Sequence, residues 1–150
     1  MTPVPTVRFA LPPDAEEWLE LRETLWPESS HDHAAEIAEY FAESPEDTAC
    51  LVAQLGDGPI AGFAEVGLRN YAEGCLSSPV GYLEGIFVRA ECRISGIGRA
   101  LAEAAEGWAR SEGCTEMASD RELANAPSGA FHEAIGYDEV ERIVCFRKDL

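Results

Sequence analysis

The sequence predicts an α/β fold with the element order β-α-α-β-β-β-α-β-α-β. Three observations support this prediction. Short apolar runs bounded by turn residues are typical of strands, and segments with helical spacing separate several of them. The segment 97–111 has its apolar residues on one helical face and lies between two predicted strands. Such a crossover connects parallel strands, whereas the tight turn at 56–59 connects antiparallel ones.

The N-terminal third supplies one strand and two helices. Residues 7–11 predict the first strand. Asp14 then predicts the N-cap of a helix, with Glu17 at the position of a capping box. A second helix is expected to begin at a serine cap, Ser29 or Ser30, and to reach about residue 43.

The remaining elements follow from alternating apolar runs and turn residues. Strands are predicted at 48–55 and 60–69, on either side of the Gly-rich turn, and at 80–88 after a polar loop, 70–79. Beyond the crossover helix we expect a strand at 114–119, a helix at 125–134 and a final strand or hairpin at 138–148.

The stretch 84–101 combines a strand end, a glycine loop and a helix start. The spacing Arg93-x-x-Gly96-x-Gly98 lets backbone N–H groups turn towards an anion at the helix N-terminus. A P-loop is excluded because the chain has one lysine, Lys148. A dinucleotide fingerprint fits poorly, since Leu101 stands where a small residue is needed. The simplest alternative is an ordinary glycine loop before an amphipathic helix.

Composition restricts the class of protein. The 150 residues, 46% hydrophobic, are expected to form a single domain, 1–150. No apolar run predicts a membrane span, and the N-terminus lacks the features of a signal peptide. Five cysteines without a CxxC pair, and only three histidines, indicate reduced thiols in the cytoplasm and no metal site.

The charge is strongly negative and unevenly distributed. The net charge of −17 disfavours nucleic acid and favours a cationic substrate, although many soluble proteins are acidic for solubility alone. Residues 1–50 carry twelve acidic and two basic residues, whereas residues 89–99 carry three arginines and one glutamate. This distribution suits one anionic and one cationic ligand bound side by side.

Four strings extend the glycine motif into a family resemblance. They are Leu25-Trp26-Pro27, residues 82–88, residues 113–120 and residues 136–142. Together with the element order, they resemble the aminoglycoside 6′-N-acetyltransferases of the GNAT superfamily over about residues 15–148. The resemblance implies a mixed, partly open sheet flanked by helices, acetyl-CoA as cosubstrate, a cationic aminoglycoside as acceptor, antibiotic resistance as the outcome and a homodimer as the assembly.

The resemblance also implies site residues. The cofactor would be bound by the strand end and the glycine loop, at Ile86, Phe87, Val88, Arg93, Ile94, Ser95, Gly96, Ile97, Gly98 and Arg99, and by Asn125. The carboxylates of Glu84, Asp120 and Glu141 would hold the ammonium groups of the acceptor, and Trp26 and Tyr71 would line its pocket. From the residues alone, Glu84 stands out as a carboxylate in an otherwise apolar strand, and an exposed edge position or a partner arginine is the alternative explanation. Taken alone, Asp120 could equally cap a helix or turn, Glu141 would be a solvated strand residue, and Trp26 and Tyr71 would be core and loop aromatics.

The mechanism expected from these residues is direct acetyl transfer to a primary amine. Glu84 is the candidate base, directly or through water, and the Val88 N–H is expected to stabilise the oxyanion. His132 stands where many GNAT enzymes have a tyrosine that protonates the thiolate, and a helix-surface position is the alternative. Other hypotheses are acetylation of polyamines or protein N-termini, and a non-catalytic CoA-binding module.

Overall fold

One five-stranded sheet forms the centre of the computed structural model, which describes residues 3–93 and 95–150. The strands lie side by side in the order in which they occur in the sequence: β1 (Pro5–Phe9), β2 (Thr48–Leu55), β3 (Ile60–Arg69), β4 (Val80–Val88) and β5 (Met117–Ser119). Neighbours from β1 to β4 are antiparallel, and β5 is parallel to β4. The predicted mixed α/β fold is confirmed.

Helices cover both faces of the sheet. They are α1 (Ala15–Leu25), α2 (His33–Glu43), α3 (Ile97–Ser111) and α4 (Ala126–Ala134). Because side chains alternate along a strand, Leu51 of β2 packs with α3, whereas Val52 packs with α1 and α2. None of the helices in the described part of the chain is long and apolar enough to cross a membrane.

The strands β2, β3 and β4 and helix α3 have the predicted bounds, and Asp14 is the N-cap of α1 as predicted, but the expected side-chain capping of α1 is absent. Asp14 occupies the N-cap position, yet its carboxylate accepts hydrogen bonds from the guanidinium of Arg8 at 2.7 and 3.0 Å. Glu17 accepts the N–H of Ile60 at 2.7 Å, so the predicted capping box does not form. A charged donor and a strand N–H compete successfully with the helix for these carboxylates.

The start of α2 is a second correction. Asp32, and neither serine, caps the helix by accepting the N–H of Ala35 at 3.0 Å. The hydroxyl of Ser29 instead accepts the N–H of His31 at 3.1 Å and stabilises the preceding turn.

The C-terminal part differs most from the prediction. β5 is shorter than expected, and α4 begins one residue later, with Asn125 as its N-cap. The predicted last strand, 138–148, is wrong for this chain, because the described residues contain no strand after β5. A strand needs a partner for its backbone, and this segment has none among residues 3–93 and 95–150. Its apolar side chains are exposed, among them Val140, Ile143, Val144 and Phe146.

Candidate active site

The edge of β4 opens beyond Leu83. β4 and β5 pair only over Gly81–Leu83 and 117–119, and on that side no strand in the described residues lies beside the rest of β4. The N–H of Arg89 donates to Ala61 at 2.8 Å, so residues 87 and 89 face β3. The backbone groups of Ile86 and Val88 therefore face the open edge, where an extended ligand can pair like an added strand.

Of the three β4 residues expected to bind the cofactor, two have backbone groups that face the open edge. Ile86 and Val88 present backbone N–H groups to it, whereas the backbone of Phe87 is turned towards β3. The carbonyl of Val88 accepts a hydrogen bond from Arg93 Nε at 3.0 Å, which places this guanidinium at the same edge. The ring of Phe87 lies 5.5 Å from the Arg93 guanidinium.

The glycine loop ends in an uncapped helix N-terminus. Gly96 has a φ of 82°, a left-handed conformation that favours glycine, and it occupies the N-cap of α3. No side chain caps the first turn, so its N–H groups remain available to an anion. Gly98 is required by packing, because a Cβ there would lie 2.9 Å from the ring of Phe131. These features fit a pyrophosphate; Ile94, also expected to contact it, lies outside the described residues.

The three arginines of the basic segment differ in role. Arg89 donates to Glu20 at 2.9 Å and to the carbonyl of Ile60 at 2.7 Å, so it links α1 to the sheet. The guanidinium of Arg99 donates to the carbonyl of Ala134 at 2.7 Å. Among the described residues, Arg93 and Arg99 have no carboxylate within ion-pair distance, and their charges remain available to an anionic ligand.

Glu84 is the extra residue of a β-bulge. Gly85 lies opposite Glu65, and Leu83 lies opposite Val66, so Glu84 has no partner residue on β3. Bulges redirect side chains, and this one turns a carboxylate of an apolar strand into the cleft between the sheet and α1 and α2. The Glu84 side chain is 37% exposed, so a ligand can reach it.

Arg69 and Tyr82 connect Glu84 to Asp120. The guanidinium of Arg69 binds Glu84 through two hydrogen bonds, of 3.0 and 2.7 Å, and lies 3.4 Å from the centroid of the Tyr82 ring. The hydroxyl of Tyr82 donates to Asp120 Oδ2 at 2.7 Å. Burial and the neighbouring Asp120 raise the pKa of Tyr82, which keeps the hydroxyl a donor. The structure thus brings together two of the three predicted carboxylates.

Trp26 forms the wall above this group. Its ring lies directly over Gly85, where a Cβ would meet the ring at 2.5 Å, so only glycine permits this contact. The ring also stacks on His33, with centroids 6.3 Å apart and planes at 24°. Trp26 is therefore next to the bulge, as a pocket-lining aromatic should be.

The cleft next to Glu84 is acidic on its helical side. Glu36, Glu39, Glu43 and Glu65 line it together with Arg22. Glu65 accepts hydrogen bonds from Arg22 at 2.9 Å and Trp18 at 3.4 Å. Burial raises the pKa of Glu65, and Arg22 opposes that rise. Glu65 is not among the predicted site residues, although it shows the same signal as Glu84, a carboxylate in an apolar strand.

No hydrogen bond in the described residues links Tyr71 or Glu141 to this group. Both are exposed, and neither makes a hydrogen bond to Glu84 or Asp120 in the described part of the chain. Their two segments do meet, because a Cβ at Gly74 would lie 2.6 Å from Val140. The C-terminal segment therefore lies against the loop 70–79.

Glu116 fixes the other end of that loop. Its Oε1 accepts the N–H groups of Leu76 at 2.8 Å and Ser77 at 2.7 Å, and the hydroxyl of Ser77 at 2.6 Å. These hydrogen bonds lower the pKa of Glu116. The sequence shows this residue only as an acid before β5, and its role depends on a loop about forty residues away that no spacing rule predicts.

The side chains of Asn125 and His132 both form hydrogen bonds with the backbone of α4. The side chain of Asn125 caps the helix by accepting the N–H of Ser128 at 3.2 Å. His132 Nδ1 lies 2.7 Å from the carbonyl of Ser128 and must carry a hydrogen, while Nε2 lies 2.8 Å from the hydroxyl of Ser119. His132 thus ties α4 to the end of β5. Within residues 3–93 and 95–150, no group of three or more His, Cys, Asp or Glu is arranged to hold a metal ion.

Comparison with known proteins decides the family. A sequence model of the acetyltransferase (GNAT) family matches residues 15–137. The chain belongs to the GNAT acetyltransferases. Two similar relatives are the aminoglycoside N(6′)-acetyltransferases type 1 of Klebsiella aerogenes, 45% identical with 97% of each chain covered, and of Stenotrophomonas maltophilia, 44% identical with 97% and 94% covered.

Solved GNAT structures agree with this assignment. AAC(6′)-Iy in complex with the bisubstrate analogue CoA-S-monomethyl-acetylneamine is 37% identical, with a TM-score of 0.90 and coverage of 98% and 99%. The same enzyme in complex with CoA is 36% identical, with a TM-score of 0.92 and coverage of 100% and 98%. The fold and the family resemblance predicted from the sequence are both confirmed.

Proposed function

We propose that this GNAT protein is an acetyl-CoA-dependent aminoglycoside 6′-N-acetyltransferase and that it confers antibiotic resistance. The observation that supports this most directly is an acidic cleft beside the open edge of β4, lined by Glu84, which Arg69 and Tyr82 connect to Asp120. Relatives named for this activity match nearly the whole chain, and the similar structures are complexes with CoA or a CoA–aminoglycoside analogue.

Acetyl-CoA supplies an acetyl group activated as a thioester. The residues that would hold it are Ile86 and Val88 at the open edge, the N–H groups of the α3 N-terminus, and the charges of Arg93 and Arg99. Asn125 stays a predicted contact, and it would have to share its capping role with the ligand. The Val88 N–H, which faces the open edge, is the donor placed to stabilise negative charge on a carbonyl oxygen there.

The acceptor is bound as a cation. Glu84 and Asp120 supply two carboxylates joined through Arg69 and Tyr82, and Trp26 supplies an apolar wall over the bulge. We place Tyr71 and Glu141 at the rim, on the two segments that meet at Gly74 and Val140. Glu84 binds and orients the amine and receives its proton, directly or through water.

The native assembly we propose is a cytoplasmic homodimer. The C-terminal segment exposes large apolar side chains and pairs with no strand in the described residues, as a segment that pairs with a second copy would. The net charge of −17 supports neither nucleic acid nor an anionic membrane as a partner. All five cysteines are free thiols, which is consistent with the cytoplasm.

A paired-substrate assay tests the activity. CoA thiol release is measured with two aminoglycosides that differ only in a 6′-amine or a 6′-hydroxyl. We expect turnover with the amine alone. Equal turnover with both would move the acetylated amine to another position. Binding of acetyl-CoA without turnover on either would overturn the proposal and favour a polyamine or peptide acceptor, or a non-catalytic CoA-binding module.

A further inference from the structure

Arg69 is a charged residue at the acceptor site that the family resemblance did not include. It makes a two-point ion pair with Glu84 and stacks on Tyr82, whose hydroxyl holds Asp120. The hydrogen bonds that it donates to Glu84 raise the pKa of Arg69, so it carries its charge at every working pH. A permanent cation therefore lies within the site proposed to bind a cation.

The pairing leaves Glu84 able to bind a ligand. A carboxylate has about four lone-pair sites, and the two hydrogen bonds from Arg69 use one on each oxygen. The remaining lone pairs are accessible, because the Glu84 side chain is 37% exposed. An acceptor amine can thus bind Glu84 while Arg69 stays in place.

The chemistry needs such a cation. An ammonium held by a carboxylate alone has its pKa raised, and it then resists the loss of the proton that must precede attack on the thioester. A neighbouring positive charge has the opposite effect, since it favours the neutral amine. Arg69 supplies this charge without removing the carboxylate that orients the amine.

We propose that Arg69 is a positioning residue for acetyl transfer, which fixes the Glu84 carboxylate and favours the neutral, nucleophilic form of the bound acceptor amine. This inference rests on the proposed function, with Glu84 next to the reacting amine. It assigns to β3 a part in the reaction that the motif residues of β4 and α3 do not cover.

Other charged groups face the same cleft and act with Arg69. On the β5 side they are Tyr82 and Asp120. On the helical side α1 and α2 contribute Arg22 and the carboxylates of Glu36, Glu39 and Glu43, and β3 contributes Glu65. Arg22 is already paired with Glu65 and Glu36 at 2.9 and 2.5 Å. In contrast to Arg22, the Arg69 guanidinium forms its hydrogen bonds with Glu84 itself.

The test is the pH dependence of kcat with a 6′-amine aminoglycoside, because kcat reports ionisations in the enzyme–substrate complex. Arg69→Gln removes the charge, and Arg69→Lys keeps it while losing the two-point geometry. Arg110→Gln is the matched control, since it removes one exposed positive charge from α3, on the opposite face of the sheet. Thermal melting of each variant checks folding, and Arg69→Met replaces Arg69→Gln if the latter melts early.

In Arg69→Gln, we expect the part of the pH profile in which kcat rises with pH to move to higher pH by roughly 0.5–1 unit. This is the effect of a unit charge several ångströms away near a protein surface. kcat at pH 7 then falls about 3–10-fold and recovers at high pH. Arg69→Lys should shift less, and Arg110→Gln not at all.

Two results would overturn this role. An equal loss of kcat at every pH would make Arg69 merely structural, and a lower acceptor KM with an unshifted profile would make it a competitor of the substrate. Absence of turnover in the unmodified enzyme would instead refute the proposed function itself, and with it this inference.

Discussion

The ion pair between Arg69 of β3 and Glu84 of β4 joins two strands at the proposed acceptor site. A carboxylate within the apolar run 80–88 is visible in the sequence, and it points to the acceptor site. Its partner is not visible, because the Arg69–Glu84 pair depends on the register of β3 on β4 and on the bulge between Glu65 and Val66. Spacing rules apply within one element, and this contact joins two.

His132 is expected to have a structural role. Both ring nitrogens are occupied, by Ser128 and Ser119, and a thiol of pKa ~8.5 leaves without much help. We expect His132→Phe to change kcat less than about threefold between pH 6 and 8, and to lower the free energy of unfolding by about 1–2 kcal/mol through two lost hydrogen bonds. Steady-state kinetics and urea unfolding measure the two effects. A hundredfold loss of kcat that varies with pH would make His132 the general acid.

At the level of elements, the helices and strands that depend on local sequence patterns are predicted best. The bounds of β2, β3, β4 and α3 are predicted correctly, because alternation, a Gly-rich turn and one apolar helix face are local properties. The N-cap position of α1 is predicted correctly, but the capping hydrogen bonds of α1 and the start of α2 are not, since several acids and serines near each helix can accept the same donors. The segment 138–148 has strand-like composition, but a strand also needs a neighbour, and sequence pattern does not supply one.

The partly buried ion pair between Arg8 and Asp14, before α1, allows a test of stability against pH. The hydrogen bonds from Arg8 lower the pKa of Asp14 below its ordinary value of 3.8, so the pair stabilises the fold above about pH 4 and is lost as the pH falls through the folded pKa. We expect Asp14→Asn to cost about 1–3 kcal/mol at pH 7 and progressively less below pH 4.

Urea unfolding at pH 7, 5 and 3 measures this cost. Asp57→Asn, in the exposed turn 56–59, is the control and should change stability by less than about 0.5 kcal/mol. A cost for Asp14→Asn that stays constant down to pH 3 would contradict the account.

At the level of the whole molecule, acidic, basic and exposed apolar residues are concentrated in different regions of the surface. Acidic residues concentrate around the proposed acceptor cleft, and arginines concentrate at the proposed cofactor loop, as the uneven distribution in the sequence predicts. The exposed apolar side chains concentrate at the C-terminal end. The charge pattern could be predicted from composition, whereas the exposed segment is recognisable only once the fold shows that most of its large apolar side chains stay exposed in the described chain.

The proposed homodimer is tested by its mass in solution. We expect size-exclusion chromatography with light scattering to give twice the chain mass of 16.3 kDa. Val144→Asp, which places a charge in the exposed segment, should shift the protein towards the monomer. Val4→Asp is the control, because Val4 is equally exposed, at 84% against 81%, but lies at the other end of the chain. A monomeric unmodified chain would refute the assembly.

The open edge of β4 has a consequence for solubility. The backbone groups of Ile86 and Val88 that would receive the cosubstrate are, without it, a short sheet edge able to recruit a strand from another molecule. Proteins guard such edges with charge and brevity. Here Arg93 covers the carbonyl of Val88, and mutual repulsion between molecules of charge −17 opposes their approach. The same features that prepare the enzyme for its ligand thus protect the empty enzyme from aggregation.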